Sequence, residues 1–270
     1  IPPITFQDPQ QAFARRLVDR LITTAEARVG DSVKWYWEVE SDVYATKGSL
    51  QATSDFIQAL FNQVQTIYAN EGIAIELKTL YIWTTTDPYV GSSSGNKLSQ
   101  FNSHRVSWDG DLAQLIGYSS GGVAYTNAIT MCEYGLGQLN SQQGYSGIYS
   151  TYSAYPAYSW TINVLAHEMG HQLGSKHTNA CVWNGNNTKI DDCAGVAGYE
   201  IYACPPAPDP LLPVGGGTIM SYCHLTSAGI NMSKGFGTQP REKMLTNINA
   251  STCLTPPNST LDVIPPTAYY

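Results

Sequence analysis

The sequence predicts an α+β fold, because stretches with strand periodicity and stretches with helix periodicity follow one another along the chain. Residues 33–43 alternate aromatic and apolar residues with acidic ones, which is typical of a strand, and residues 73–83 form an apolar second strand. Residues 50–68 between them carry apolar side chains at helical spacing. A largely irregular stretch at 178–217, rich in proline and glycine, precedes a last predicted helix at 238–250.

Further segments complete this outline. Residues 8–28 have an amphipathic helical pattern, with arginines on the polar face, and predict a helix that precedes the core. Residues 106–116 fit either a short helix or a pair of strands, whereas residues 121–131 indicate a strand. Residues 134–159 are crowded with Tyr, Ser and Gly, which predicts a strand and a surface loop or, alternatively, an aromatic binding platform.

The most informative feature of the sequence is an HExxHxxGxxH motif that begins at His167. It lies on a predicted helix that has Ser159 or Thr161 as its N-cap and runs to about Leu173. Residues four apart on a helix leave the same face about one turn apart, so the imidazoles of His167 and His171 point the same way. A tetrahedral metal ion can take one nitrogen from each at about 2.0–2.1 Å.

The rest of the motif predicts a third ligand and a proton acceptor. Gly174 ends the helix, since glycine can turn the chain sharply with positive φ, and this turn brings His177 back as a ligand. Three protein ligands leave the fourth position of the ion open, as in catalytic zinc sites. Glu168 points to the neighbouring side, where it can reach a metal-bound water. The alternatives are packed histidines without a metal and a closed structural zinc site with a fourth Cys or His ligand.

The motif resembles that of the metzincin zinc endopeptidases, which carry a Met-turn downstream of it. Met220 lies in a segment that resembles this turn, and the resemblance implies that it forms an apolar floor under the three imidazoles; an ordinary core methionine is the alternative. The resemblance also implies the metzincin fold. Its upper subdomain, α/β/α-like with a mixed twisted sheet and the active-site helix, would span 31–174. An irregular lower subdomain with the Met-turn and the C-terminal helix would span 175–254, between a helical extension at 1–30 and a proline-rich tail at 255–270.

Several segments resemble the adamalysin (reprolysin) branch of the metzincins. Two of them are the edge strand, Gly122-Val123-Ala124-Tyr125, and the cysteine segment that follows it, Thr130-Met131-Cys132. The other two are the segment before the edge strand, Asp111-Leu112-Ala113-Gln114-Leu115, and an apolar strand after a long helix, Thr79-Leu80-Tyr81-Ile82-Trp83. The resemblance implies that Gly122, Val123 and Ala124 belong to the substrate-binding edge strand, along which a peptide gains main-chain hydrogen bonds.

Two features depart from the adamalysin pattern. Thr178 follows the third histidine, where adamalysins usually carry Asp, and the stretch from His177 to Met220 is long; pappalysins share both features. Tyr222 follows the Met by two residues, as in astacins, serralysins and pappalysins. In those families this Tyr ligates zinc or hydrogen-bonds the transition state, which is the role that the resemblance implies here. A buried Tyr bonded to the backbone is the alternative.

Length and charge limit the classes of partner. The 270 residues are ample for one large catalytic domain, expected at 31–254. A net charge of −7 argues against nucleic acid or an anionic membrane as partner. No apolar run approaches the ~20 residues of a membrane span, and no signal peptide is visible, which favours a mature or trimmed form. We expect a monomer that acts on proteins or peptides.

The cysteines indicate disulfides rather than a metal site. They are an even set without CxxC spacing: Cys132, Cys181, Cys193, Cys204, Cys223 and Cys253. Such a set predicts an oxidising, secreted or cell-surface location. The resemblance to adamalysins implies a Cys132–Cys253 bridge. For the rest, Cys181–Cys223 and Cys193–Cys204 are expected to close the long insert and hold the Met-turn.

The resemblance also raises a structural calcium ion. Adamalysins often bind one near the C-terminus, opposite the cleft. The matching positions are Glu38 or Glu40, Asp111 and the carbonyl of Cys253, whose oxygen atoms suit calcium. Solvated surface carboxylates without an ion are the alternative.

Motif and resemblance together predict a secreted, zinc-dependent endopeptidase that hydrolyses internal peptide bonds of proteins. Glu168 would take a proton from a zinc-bound water of pKa about 7, and the hydroxide would attack the scissile carbonyl. By resemblance, His224 and Leu225 would line the primed-side pocket. One alternative is a zinc-loaded but inactive binding module, against which the undamaged motif argues. Another is a zinc hydrolase of a non-peptide substrate, which would need a closed pocket.

Overall fold

The computed structural model describes residues 31–126, 142–199, 204, 212–257 and 261–264. The strands are β1 (Val33–Val39), β2 (Ile75–Ile82), β3 (Leu112–Gly117), β4 (Gly122–Ala124), β5 (Gln143–Gly147) and β6 (Asp262–Ile264). The helices are α1 (Ser41–Lys47), α2 (Leu50–Asn70), α3 (Ser94–His104), α4 (Trp160–Gln172), α5 (Cys193–Val196) and α6 (Thr238–Ala250). Short 3-10 turns lie at Cys223–Leu225 and Met232–Lys234. The fold is α+β, as predicted.

The six strands form one mixed sheet in the order β4-β5-β3-β1-β2-β6. Five strands are parallel, and β4 at one edge runs antiparallel to β5. The central strand β1 is buried on both faces, as is usual for a parallel strand covered by helices. Its Trp35 and Trp37 pack into the larger apolar core, while Tyr36 packs into a smaller core on the opposite face. Helices therefore cover both faces of the sheet.

The larger core fixes the position of helix α4 on the sheet. It contains Leu60 and Val64 of α2 together with Leu165 of α4, all fully buried. Tyr68 at the end of α2 donates a hydrogen bond across this core to the Ala166 carbonyl of α4, at 2.9 Å. The smaller core lies under α3. Because α4 carries the HExxH motif, these contacts set where the motif meets the edge strand.

Most predicted elements are confirmed with small shifts of their ends. The helix at 50–68 is α2, the helix at 238–250 is α6, and the motif helix begins after Ser159 as its N-cap residue. The strand predicted at 33–43 is too long, because β1 stops at Val39 and the chain turns into α1. Ser41 there donates from both its backbone N–H and its hydroxyl to Asp87 Oδ2, which holds the first turn of α1.

Other segments differ from the expectation or extend it. Of residues 106–116, only those from Leu112 onward form a strand, and α3 before them was not predicted. The stretch 262–264 in the predicted tail adds the parallel edge strand β6 to β2. The predicted extension at 1–30 and residues 127–131 of the predicted edge strand lie outside the described residues. No helix in the described ranges is long and apolar enough to cross a membrane.

The disulfide pairs differ from those expected. Cys181 bonds to Cys204 and Cys193 bonds to Cys223, with Cα–Cα distances of 5.5 and 4.8 Å, so the predicted pairs Cys181–Cys223 and Cys193–Cys204 are wrong. The reason is the placement of α5, whose first residue Cys193 lies next to the turn that begins at Cys223. Cysteines pair by proximity in the fold, which sequence spacing does not reveal. Cys132 lies outside the described residues, so its pairing stays a prediction.

Candidate metal centre and active-site cleft

Three histidines converge at the end of helix α4. His167 and His171 leave the same face of the helix, and their Nε2 atoms lie 3.1 Å apart. Gly174, at φ +96°, then turns the chain, and a Cβ there would lie 3.2 Å from Asn247 Cγ, so glycine fits both the conformation and the space. The turn brings His177 Nε2 to 2.9 Å from that of His171 and 3.1 Å from that of His167.

Hydrogen bonds fix the tautomers of the first two histidines. His167 Nδ1 lies 2.7 Å from the carbonyl oxygen of Ile219, and His171 Nδ1 lies 2.8 Å from that of Ser175. A carbonyl oxygen only accepts, so each Nδ1 carries the proton and each Nε2 offers a lone pair. Burial, and then the two neighbouring histidines, lower the pKa of His171 well below its ordinary value, which keeps this ring neutral.

This donor set fits a zinc ion. Imidazole nitrogens are preferred zinc ligands, and lone pairs that converge to about 3 Å repel one another without a cation between them. Within the described ranges, these three rings are the one group of histidines whose nitrogens lie close enough together to share an ion. The other group of possible ligands, Asp191 with Cys193 and Cys223, is not comparable because its two sulfurs are already joined in a disulfide. The geometry therefore matches the predicted three-ligand site.

Met220 packs directly against the helix that carries the ligands. It is fully buried, and a Cβ added to Gly170 would lie 2.9 Å from its Sδ atom, so the thioether contacts α4 at the residue before His171. The Met220 carbonyl accepts a hydrogen bond from the N–H of Thr178, at 3.1 Å. This bond ties the turn to the residue that follows the third histidine. The position is consistent with the floor expected for a Met-turn.

Glu168 is buried beside the histidines. Its side chain is 5% exposed, its Oε2 atom has no hydrogen-bond partner, and burial raises the pKa of the carboxyl well above the ordinary value. Gly122 of the edge strand lies over it, because a Cβ there would lie 2.7 Å from Glu168 Cγ and closer still to Oε1. The absence of a side chain at Gly122 is what lets the carboxyl fit between β4 and α4.

The histidines and Glu168 open into a cavity of about 820 Å³ between β4 and residues 222–225. The lining includes the predicted edge strand and the predicted pocket residues: Gly122, Val123, Ala124, Tyr222, His224 and Leu225. The structure thus brings the zinc-binding motif, the edge strand and the segment after the Met-turn to one cleft. A smaller cavity of about 570 Å³ adjoins it at Tyr149, which lines both.

Tyr222 lies against the third histidine. Its ring centroid is 4.6 Å from that of His177 and 6.5 Å from that of His167, and the ring lines the cavity. Tyr199 packs against the Tyr222 ring at a centroid distance of 5.0 Å, and His224 stacks on it at 5.9 Å. These contacts hold the ring next to the ligands, and its catalytic role stays a prediction.

The proposed calcium positions are occupied by other contacts. Glu38 is fully buried and accepts hydrogen bonds from four side chains at 2.6–2.8 Å: Tyr36, Trp83, Tyr89 and Arg105. Glu40 pairs with the ammonium group of Lys97. Asp111 accepts from a backbone N–H of β1 at 2.7 Å. In the described ranges these carboxylates form no metal-binding cluster, so the calcium site, including the carbonyl of Cys253, stays a prediction without support.

Sequence reasoning missed several residues that line the cleft. Trp160 and Asn163 precede His167 by seven and four residues, so their helical spacing could have placed them on the ligand-bearing face. Lys176 also lines the cavity, and its position directly before His177 could have indicated this, whereas only the tertiary fold brings Tyr199 there.

Comparison with known proteins agrees with the site. A family model described as Metallo-peptidase family M12 (Reprolysin_5) matches residues 32–233, which is most of the chain. No curated protein matches the chain. The match runs from the residue before β1 into the 3-10 turn Met232–Lys234, so it includes the whole cleft-forming region from β4 to the Met-turn. The histidine cluster fits the zinc-binding motif of the metzincins. The chain therefore belongs to metallo-peptidase family M12 and is a metalloprotease.

Proposed function

We propose that this chain is a secreted zinc endopeptidase that hydrolyses internal peptide bonds of proteins. The observation that carries the proposal is the convergence of three histidine Nε2 atoms within 2.9–3.1 Å beside the buried, unpartnered carboxyl oxygen of Glu168. The two disulfides support an oxidising, extracellular location. We place the catalytic unit at residues 31–254.

His167, His171 and His177 would hold the ion. Zinc in such a site supplies Lewis-acid polarisation of a carbonyl and lowers the pKa of water to about 7. Two of the three histidines are pre-oriented by the Nδ1 hydrogen bonds, which keep Nε2 free of a proton.

Glu168 is assigned the proton transfers. Its carboxylate accepts a proton from the attacking water while the new C–O bond forms at the scissile carbonyl carbon. The same carboxyl then gives this proton to the leaving amine nitrogen as the C–N bond breaks. Burial alone favours the protonated carboxyl, and the positive charge of a zinc ion held by the histidines would offset this and keep the carboxyl ionised before the attack.

The edge strand supports a polypeptide substrate. β4 pairs on one side with β5, and within the described residues no other strand covers its second side, which borders the cleft. A peptide in extended conformation would bind Gly122, Val123 and Ala124 through main-chain hydrogen bonds. An open cleft of this kind favours an internal peptide segment over a small molecule in a closed pocket.

Tyr222 and the segment after it complete the proposed site. The position of the Tyr222 ring beside His177 supports the assignment of its hydroxyl as a hydrogen-bond donor to the tetrahedral oxyanion. By resemblance to other metzincins, His224 and Leu225 line the pocket for the residue after the scissile bond, and both line the cleft.

The test is cleavage of a mixed peptide library by the purified chain, with and without a zinc chelator. We expect cuts within peptides that stop on chelation and return when zinc is restored. Cleavage that is indifferent to the chelator would contradict the metal's role. No cleavage by a chain that holds one zinc would instead indicate an inactive binding module.

A further inference from the structure

One polar group in the cleft has no partner and no role in the proposed hydrolysis. Asn163 Oδ1 is buried without a hydrogen-bond partner, whereas the His224 imidazole interacts with the Ser221 backbone. Both residues line the same cavity as the three histidines. A buried polar atom without a partner is costly, so a ligand that supplies the missing partner gains affinity by it.

Asn163 lies on the face of α4 that carries the zinc ligands. It precedes His167 by one helical turn, and only 2% of the residue is exposed. The other wall of this part of the cleft is the segment 222–225, which includes His224. Asn163 and His224 therefore belong to the two walls of the pocket proposed above for the residue after the scissile bond.

Trp160 bridges these two walls. Its Nε1 donates a hydrogen bond to the Gly147 carbonyl at 2.9 Å, which fixes the indole at the start of α4. The indole ring then meets the His224 imidazole at a centroid distance of 5.5 Å. Aromatic rings thus border the part of the cleft that Asn163 lines, which suits a side chain with an apolar stem and a polar end.

The chemistry of the walls favours an uncharged polar end. Glu168 is the only acidic residue among those described as lining the cavity, so no spare carboxylate is available there to pair with a lysine or arginine of the substrate. An Asn amide offers both an acceptor and donors, and a neutral imidazole offers one of each. A carboxamide is the side-chain group that can pair with an amide through both of its atoms.

We propose that Asn163 selects substrates with glutamine or asparagine immediately after the scissile bond. This inference rests on the proposed endopeptidase function and specifies its substrate class. The substrate carboxamide pairs with the Asn163 amide. The aliphatic part of the side chain packs on Trp160.

The test uses quenched fluorescent peptides that differ only in the residue after the scissile bond. Glutamine is compared with leucine, which has a similar size but no hydrogen-bonding group, and with glutamate, which adds a charge. We expect kcat/KM for the glutamine peptide to exceed that for the leucine peptide by about tenfold. The glutamate peptide distinguishes a carboxamide from a carboxylate, which Lys176 in the cavity lining could pair with. The glutamine peptide should still be the better substrate, because the Asn163 oxygen needs a hydrogen-bond donor and a carboxylate has none.

The variant Asn163→Leu should bring the glutamine-to-leucine ratio of kcat/KM close to one. This ratio is taken within one preparation, so it does not depend on the folded fraction. Asn102→Leu is the matched control, because Asn102 Oδ1 in α3 is also buried and unpartnered but does not line the cleft. The control should keep the wild-type ratio.

The outcomes separate the two proposals. If zinc-loaded wild-type protein cleaves none of the peptides and none of the library, the endopeptidase function fails. If it cleaves peptides but treats leucine as well as glutamine, the function stands and the role of Asn163 is refuted. A glutamine preference that survives in Asn163→Leu would equally refute Asn163 as its source.

Discussion

The contact between Gly122 and Glu168 provides a sharp test of how the edge strand supports the proposed base. A Cβ at Gly122 would lie 2.7 Å from both Glu168 Cγ and Val164 Cγ2, whereas ordinary contacts begin at 3.4 Å. The φ of Gly122 is not in the left-handed region, so alanine can adopt the backbone conformation and the conflict lies in the contact alone. In Gly122→Ala, the carboxyl or the strand must move by about 0.7 Å.

A shift of this size should reduce activity more than stability. Misplacing a reacting group by about 1 Å can cost roughly 10²-fold in rate, so we expect kcat/KM to fall by about 10- to 100-fold. Overpacking should cost about 1–3 kcal/mol in the free energy of unfolding. The assay is kcat/KM on a fluorogenic peptide, together with zinc content and thermal unfolding of the same samples.

Gly95→Ala is the matched control. Gly95 also lines the cleft, but its added Cβ would meet only Ser93 Oγ, at 3.9 Å, and its place in helix α3 favours alanine by about 0.5–1 kcal/mol. Activity should therefore persist and stability should rise slightly. A folded, zinc-loaded Gly122→Ala protein with kcat/KM within about twofold of wild type would refute the assigned position of Glu168.

Three further predictions concern Tyr222, the Cys193–Cys223 disulfide and the buried carboxyl of Glu40, which follows β1. Tyr222→Phe should lower kcat by about 10²-fold with little change in KM, because the hydroxyl is proposed to act on the transition state; steady-state kinetics would show a KM effect instead if it only binds substrate. Replacing both Cys193 and Cys223 by serine should lower the free energy of unfolding by about 3–4 kcal/mol, since the bridge closes a loop of 30 residues; an unchanged Tm in calorimetry would contradict this. Burial outweighs the Lys97 ammonium group and raises the pKa of Glu40 from 4.5 to about 7, so between these values the folded chain keeps a proton that the unfolded chain has lost, and stability falls as pH rises. Glu40→Gln should flatten this slope in urea unfolding between pH 4.5 and 7, and an equal slope in both proteins would exclude Glu40 as its cause.

The zinc-binding site could be predicted from sequence because its geometry is local. His167 and His171 share one helix, and a single glycine turn separates them from His177, so spacing alone determines most of the arrangement. The long helix α2 and the second strand were predicted for the same reason, since their periodicity is set by burial on one face or on both.

The features that escaped prediction depend on contacts distant in sequence. Cys193 pairs with Cys223 because α5 packs beside the Met-turn, and no spacing rule specifies that placement. Glu38 resembled a calcium ligand in sequence, yet in the fold four donors from other segments surround it. Gly122 lies over Glu168 only because β4 occupies the edge of the sheet next to α4.

The measurement that tests the account most directly is the activity and zinc content of Glu168→Gln. The substitution preserves the shape of the side chain and leaves the three histidines in place, so the variant should bind one zinc per chain, as the wild type does. Removing the proton acceptor should lower kcat on a peptide substrate by about 10²- to 10⁴-fold. A zinc-loaded Glu168→Gln protein that cleaves peptides at the wild-type rate would contradict the central claim.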